Sequence, residues 1–315
     1  MKKIISLVVS LVILVVIYTK IDFARLLEVF QNSDRLWMVV SLAMVIPLTL
    51  LTSWRLQQLM PPSGVLRFGE ANRLILASST LNMILPSKMG DIAKAYFMRE
   101  RGHLEGSLAL SLVIFEKTCD MLSLLLWCVF GLFFYPNNNK DFLFWVMTLG
   151  VAVGLLLGIL LLGSRGFAYF FFTQTHKIAP GKLKAKIDQF QYAWDEMHGY
   201  FWQEPAHLAK IAATSVLIWF GHLLQIWFFI FALQAWVPLL ANLALSPLAI
   251  LAGLLPLTFA GVGTRDAALI LFYQPFFDQP VGAALGLLCT SRYFIPAVAG
   301  LPFLGRYFAP VRDWK

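Results

Sequence analysis

Long apolar runs separated by short polar stretches fill the chain. Uninterrupted apolar segments cover about 4–19, 36–54, 107–135, 141–163, 210–234 and 280–305. Each is close to the roughly 20 residues that carry an α-helix across a bilayer, so the pattern predicts about six full spans. Two further apolar regions, about 71–99 and 243–275, are broken midway by proline, glycine and charge: LNMILPSKMGDIAKAYF and LAGLLPLTFAGVGTRDAALILF. Neither half is comfortably long enough to span alone. Broken segments at membrane depth persist only where protein or a cavity shields the freed backbone. They predict two re-entrant helical hairpins, with breaks at Pro86 and Gly90 in the first and at Pro256, Gly261 and Gly263 in the second.

The first run, Ile4 to Thr19, follows Lys2 and Lys3 like a secretory signal. Tyr18, Thr19 and Lys20 stand where a small-residue cleavage site would be, so an uncleaved first span is expected, its start held in the cytoplasm. With both hairpins re-entrant, about 18 of the 25 Lys and Arg fall in the cytoplasmic segments 1–3, 55–106, 164–210 and 306–315, as the positive-inside bias requires. Making the first hairpin a full span would put the basic 164–210 stretch outside. Within that stretch Leu183, Ile187, Phe190, Tyr192, Trp194 and Met197 recur at roughly helical spacing among charges. An amphipathic helix on the cytoplasmic headgroups is expected, too small for a catalytic domain.

The order of segments repeats. Residues 1–135 read span, span, hairpin, span, and 141–306 read the same from the opposite side. Both hairpins carry Leu-Pro followed by glycine and an acid: Leu85-Pro86 with Gly90-Asp91, and Leu255-Pro256 with Gly263 and Asp266. Inverted repeats with paired broken helices place a transporter's site near the midplane, where the breaks meet. The expected architecture is therefore an all-α polytopic membrane protein, a single transmembrane domain over 1–315 built from two inverted pseudo-repeats.

Composition agrees. The 315 residues are 59% hydrophobic and 13% charged, with mean hydropathy +0.73, which excludes an ordinary water-soluble globule. The net charge of +8 sits mainly in short connections, so anionic headgroups explain it and nucleic acid does not. Three cysteines, Cys119, Cys128 and Cys289, lie inside apolar runs without a CxxC or Cys/His cluster; neither a disulfide framework nor a zinc site is supported.

Ionisable side chains within apolar runs are costly and point to function. Glu116, Lys117 and Asp120 occupy VIFEKTCDML, with Glu116 and Asp120 on one helix face; an interhelical ion pair that fixes packing is the alternative. Lys88 and Asp91 follow the first break, Arg265 and Asp266 the second. A helix restarting after a glycine-containing break presents unpaired N–H groups to an anion, and Arg265 adds a fork that matches phosphate. Asp91 or Asp266 could instead cap its own helix. Arg292 stands near the midpoint of the last run with uncharged neighbours, so it needs a carboxylate from elsewhere or an anionic ligand. His222, with Gln225 one turn on, reads as a packing histidine rather than a proton relay. No Walker A sequence, nucleophile elbow or His-Glu-x-x-His pair occurs, and GVGTRD interrupts an apolar run rather than following a strand. No cofactor and no metal site is expected.

These residues resemble the flippase-like membrane region of the lysylphosphatidylglycerol synthase family. The resemblance runs over nearly the whole chain and rests on three motifs in order. They are Pro86 with Gly90-Asp91 and Lys94; Glu116-Lys117 with Asp120; and Pro256, Gly261, Gly263, Arg265 and Asp266. Asp91 and Asp266 stand where the family usually has Glu, and Lys117 where it has Arg; charge is preserved. The family's two-part synthases carry a soluble domain that makes the aminoacyl lipid. The chain stops at Lys315 without one, so the resemblance implies translocation without synthesis. The expectation is a bacterial inner-membrane lipid transporter with both termini cytoplasmic. It would move a glycerophospholipid or a polyprenyl-phosphate carrier between leaflets and would not be an enzyme. Arg265, Arg292, Lys88 and Lys117 would hold the phosphate, with Arg265 ranked first. Asp91, Glu116, Asp120 and Asp266 would balance charge or couple protons. The rival readings are a membrane transferase with Asp91 or Glu116 as general base, and a scaffold for a partner lipid-modifying enzyme.

Overall fold

A computed structural model describes residues 22–61, 64–84, 90–101, 103–134, 142–254 and 263–308. The expected first span over 4–19, the hairpin-tip residues Pro86, Lys88, Pro256 and Gly261, and the 136–140 turn lie outside them. The described residues form α1 (Phe23–Gln31), α2 (Arg35–Ala43), α3 (Val45–Leu59), α4 (Phe68–Ile84), α5 (Gly90–Glu100), α6 (Gly106–Phe134) and α7 (Phe142–Gly163). They continue as α8 (Arg165–Ile178), α9 (Gly181–Phe201), α10 (Pro205–Ala232), α11 (Leu239–Leu254), α12 (Thr264–Tyr273), α13 (Gln279–Ser291) and α14 (Phe294–Phe308). Among the described residues there is no strand.

Four stretches are long and apolar enough to cross a membrane: Arg35–Leu59, Phe144–Gly163, Pro205–Ala232 and Gln279–Gly305. With these lengths the chain is a multi-pass membrane protein. The 29-residue α6 is as long, but Glu116, Lys117 and Asp120 interrupt its apolar character. α7 carries no charge, and one of its described side chains, Val151, is fully buried while about half are exposed, as on a helix with one face to lipid.

Two of the expected straight spans are broken. Pro47 has no N–H for the Ala43 carbonyl, and the helix interrupts at Met44 between α2 and α3. Pro296 likewise cannot serve the Arg292 carbonyl. There the turn tightens, the Tyr293 N–H reaching the Thr290 carbonyl at 3.1 Å, and α13 gives way to α14. Arg292 therefore stands at a helix break in the middle of the Gln279–Gly305 stretch. The 164–210 stretch contains a helix where Leu183 to Met197 predicted one, with a second helix before it. It folds as α8 and α9, and Trp194 and Phe201 turn inward: Phe201 stacks on Phe115 of α6 at 4.2 Å, and the Trp194 indole donates to the Leu161 carbonyl at 3.3 Å.

α10 runs through the middle, packed on α2, α3, α6, α11 and α13. Around it the helix pairs exchange partners. α4 packs on α5 and α5 on α6, while α11 packs on α12 and α12 on α13. The first arm of each pair then lies on the last helix of the other half, α4 on α14 and α11 on α6. Both crossings are closed by a glycine. A Cβ on Gly300 would strike the Leu76 carbonyl and Thr80, and one on Gly131 would strike the Ala244 carbonyl. The Thr80 hydroxyl also donates to the Ala297 carbonyl at 2.6 Å. Buried polar groups fasten the second pair to α10: Asn242 donates to the Leu223 carbonyl at 2.9 Å, and Tyr273 donates back to Asn242 at 2.9 Å.

Candidate anion site in the helix bundle

A cavity of about 450 Å³ opens between α3, α4, α5, α6, α10, α12, α13 and α14. Most of its wall is apolar, but it gathers Asp91, Glu116, Lys117, Asp120, Arg265 and Arg292, the described members of the expected site other than Asp266. Arg55 of α3 and Lys94 of α5 join them.

One side of the cavity is an ion network centred on α6. Glu116, 1% exposed, is held by Arg55 Nη2 at 3.0 Å and by the Lys94 ammonium. Arg55, 2% exposed, also donates to Asp120 and, at 2.9 Å, to the Ser215 hydroxyl. Lys117 is the exposed member, at 44%; its Nζ lies 3.2 Å from Asp91 and 3.4 Å from Asp120. Asp91 accepts from Ser78 at 3.2 Å and from Asn82 Nδ2 at 3.4 Å, both on α4. Gly90 makes this possible: a Cβ there would strike the Ser78 carbonyl, so the start of α5 lies directly on α4. Three cations thus face three carboxylates. Such a buried network adds little net stability over an apolar core, yet removing one partner strands the others.

The other side is cationic. Arg265 of α12 is bound to its neighbour Asp266 through Nη2 at 2.7 Å and Nε at 3.1 Å, and Nη2 also reaches Thr290 at 2.6 Å and the Gly286 carbonyl at 3.2 Å. Asp266 in turn accepts the Gly263 N–H at 3.1 Å, capping the start of α12. Gly263 has φ 98°, a left-handed conformation that side chains rarely adopt. Arg292, 4% exposed, makes no ion pair among the described residues. Nη1 donates to Gln225 Oε1 at 3.4 Å, Nη2 to the Tyr293 hydroxyl at 3.1 Å, and the buried Nε has no acceptor. Among the described residues no group of three or more His, Cys, Asp or Glu is placed to hold a metal.

The lysylphosphatidylglycerol synthase TM region model matches residues 3–300. The chain belongs to that family. A UPF0104 membrane protein of Methanocaldococcus jannaschii is similar to it, 22% identical over 95% of this chain and 93% of that protein.

In this family member described residues from each of the three motifs line one cavity: Asp91 and Lys94, then Glu116, Lys117 and Asp120, then Arg265. Arg55 and Lys94, which the charge count assigned to cytoplasmic segments, are instead nearly fully buried in the site. Arg55 falls just past the end of an apolar run, where a snorkelling cation is the ordinary reading. The usable signal was a deficit: two carboxylates, Glu116 and Asp120, share a helix face with one adjacent lysine, so a further cation had to come from elsewhere. His222 also lines the cavity, 5.8 Å from Trp219 ring to ring.

Proposed function

We propose that this protein is a lipid transporter that moves a lipid with an anionic phosphate headgroup between the leaflets of the cell membrane. The observation that carries the reading is Arg292, a guanidinium buried at a helix break with no carboxylate partner among the described residues, in the wall of a headgroup-sized cavity. A buried cation in a membrane bundle is retained where something offsets its desolvation. A phosphate oxygen pair matches the open edge of its fork. Arg265, with its carboxylate already at hand, acts beside it, and Lys117, exposed at the network's edge, attracts the headgroup as it enters. Lys88, between Pro86 and Gly90 in the sequence, is a further candidate for the phosphate. Asp91, Glu116, Asp120 and Asp266 balance the cations when no lipid is bound.

Transport would proceed by alternating access between two inverted repeats, about 1–135 and 141–306, each with a re-entrant hairpin. The exchanged packing of α4 on α14 and α11 on α6, with a glycine at each crossing, supports that reading. Both termini and 164–210 lie in the cytoplasm, in accord with the distribution of Lys and Arg. The candidate lipids are glycerophospholipids and polyprenyl phosphates. Purified protein in liposomes tests the proposal against a panel of labelled lipids. Leaflet redistribution without chemical change supports it. Formation of a new lipid product would make the chain a transferase, and neither result would make it a scaffold for a lipid-modifying enzyme.

A further inference from the structure

One amide joins the two proline-induced helix breaks. Gln225 of α10 is fully buried. Its Nε2 donates to the Ser41 carbonyl, just before the α2–α3 break, at 2.9 Å. Its Oε1 accepts from Arg292 Nη1, at the α13–α14 break, at 3.4 Å. The second acceptor on Arg292 is the Tyr293 hydroxyl, whose ring centroid lies 5.1 Å from the guanidinium carbon. Both acceptors are neutral, and Nε remains without one. The guanidinium is therefore oriented but not discharged.

The charges of the site lead to the same place. Among the described residues, Arg55, Lys94, Lys117 and Arg265 each pair with at least one of Asp91, Glu116, Asp120 and Asp266. Arg292 is the fifth cation against four carboxylates. A glutamate at 225 has the shape of glutamine and would reach the same nitrogen with a full negative charge. It would give Arg292 the permanent partner that the amide withholds.

We propose that Gln225 is the positioning residue that keeps Arg292 open, so that this seat takes one negative charge from a ligand phosphate. The inference rests on the lipid reading above for the identity of that ligand, and on geometry alone for the role of the amide.

The test uses detergent-purified full-length protein, with dioctanoyl phosphatidylglycerol as the probe. Without lipid, Q225E gains an ion pair with Arg292 but loses the donor to the Ser41 carbonyl, so its stability should depend on Arg292. Q225E/R292Q should melt lower, its carboxylate having lost that partner. Wild type should bind the probe, and Q225E should bind it about tenfold or more weakly. Q225M, which keeps the cation and removes the amide, should stay within about tenfold of wild type. A Q225E protein that melts no higher than Q225E/R292Q, or that binds the probe as wild type does, overturns the proposal. So does Q225M abolishing binding, since the amide would then be a ligand group itself. If Q225E is stabilised in the R292-dependent manner but wild type binds no phosphate lipid, the role of Gln225 stands and the lipid reading falls.

Discussion

Arg265 and Arg292 carry the same charge in the same cavity, and their surroundings predict opposite consequences of removal. Arg265→Ala deletes two hydrogen bonds to Asp266, at 2.7 and 3.1 Å, and leaves that carboxylate buried with the Gly263 N–H as its remaining donor among the described residues. Stranding one member of a buried ion pair costs about 3–5 kcal/mol. At roughly 2 °C per kcal/mol for a chain of this size, the melting temperature should fall by about 6–10 °C. Arg292→Ala strands only neutral acceptors, Gln225 and the Tyr293 hydroxyl, and also removes a costly buried cation. Its net cost should be about 1 kcal/mol or less. Differential scanning fluorimetry in detergent, run beside lipid transport in liposomes, reads both effects. Arg292→Ala should be stable and inactive, whereas Arg265→Ala should lose stability and activity together. Equal destabilisation of the two variants, or full transport by a stable Arg292→Ala protein, would refute the reasoning.

Four further outcomes are expected. Glu116→Gln removes the carboxylate shared by Arg55 and Lys94 and should destabilise the protein by about 3–5 kcal/mol, measured as a drop in melting temperature. Gly300→Ala forces a Cβ into the Leu76 carbonyl and should cost about 1–3 kcal/mol by the same measurement, or more if the α4–α14 crossing opens. Burial, and then the Arg165 guanidinium, hold the His198 imidazole below its usual range, and its neutral Nδ1 accepts from Arg165 Nε at 2.9 Å. The folded state thus binds this proton more weakly than the unfolded state, so the contact is present above the free imidazole's pKa and is lost as pH falls through the lowered value. Amide protection in α8 and α9, corrected for the pH dependence of intrinsic exchange, should fall on acidification, and His198→Gln should blunt that response. In a background without native cysteines, Cys at Leu183 should label from the cytoplasm and Cys at Asn32 from the opposite side; both labelling from one side would contradict the topology.

Four of the expected spans, at 36–54, 141–163, 210–234 and 280–305, were legible because membrane helices must satisfy their own backbone and span a fixed thickness. The broken regions were read by the same reasoning, that proline and glycine inside an apolar run force an interruption; their tips, 85–89 and 255–262, lie outside the described residues, between α4 and α5 and between α11 and α12. The same logic applied to Pro47 and Pro296, where hydropathy alone suggested straight spans. Individual buried charges were harder to read. Glu116 and Asp120 stood out because they sit deep in an apolar run, whereas Arg55 lies at a segment edge where water is usually within reach, and Lys94 was marked only by the family motif. Only the tertiary packing of α3 and α5 on α6 removes that water. The distinction between Arg265 and Arg292 was likewise invisible, since it depends on Asp266 folding back onto Arg265 while α10 offers Arg292 an amide instead of a carboxylate.

The central claim is that this cavity carries a phosphate-bearing lipid across the membrane on Arg292. The most direct measurement is the rate at which labelled phosphatidylglycerol and a labelled polyprenyl phosphate change leaflet in liposomes containing wild-type or Arg292→Gln protein, with the lipid recovered afterwards and checked for chemical change. The account predicts that wild type accelerates redistribution of at least one of them, unaltered, while folded Arg292→Gln leaves it at the protein-free rate. No acceleration of either lipid by wild type, or an equal rate with Arg292→Gln, would contradict it.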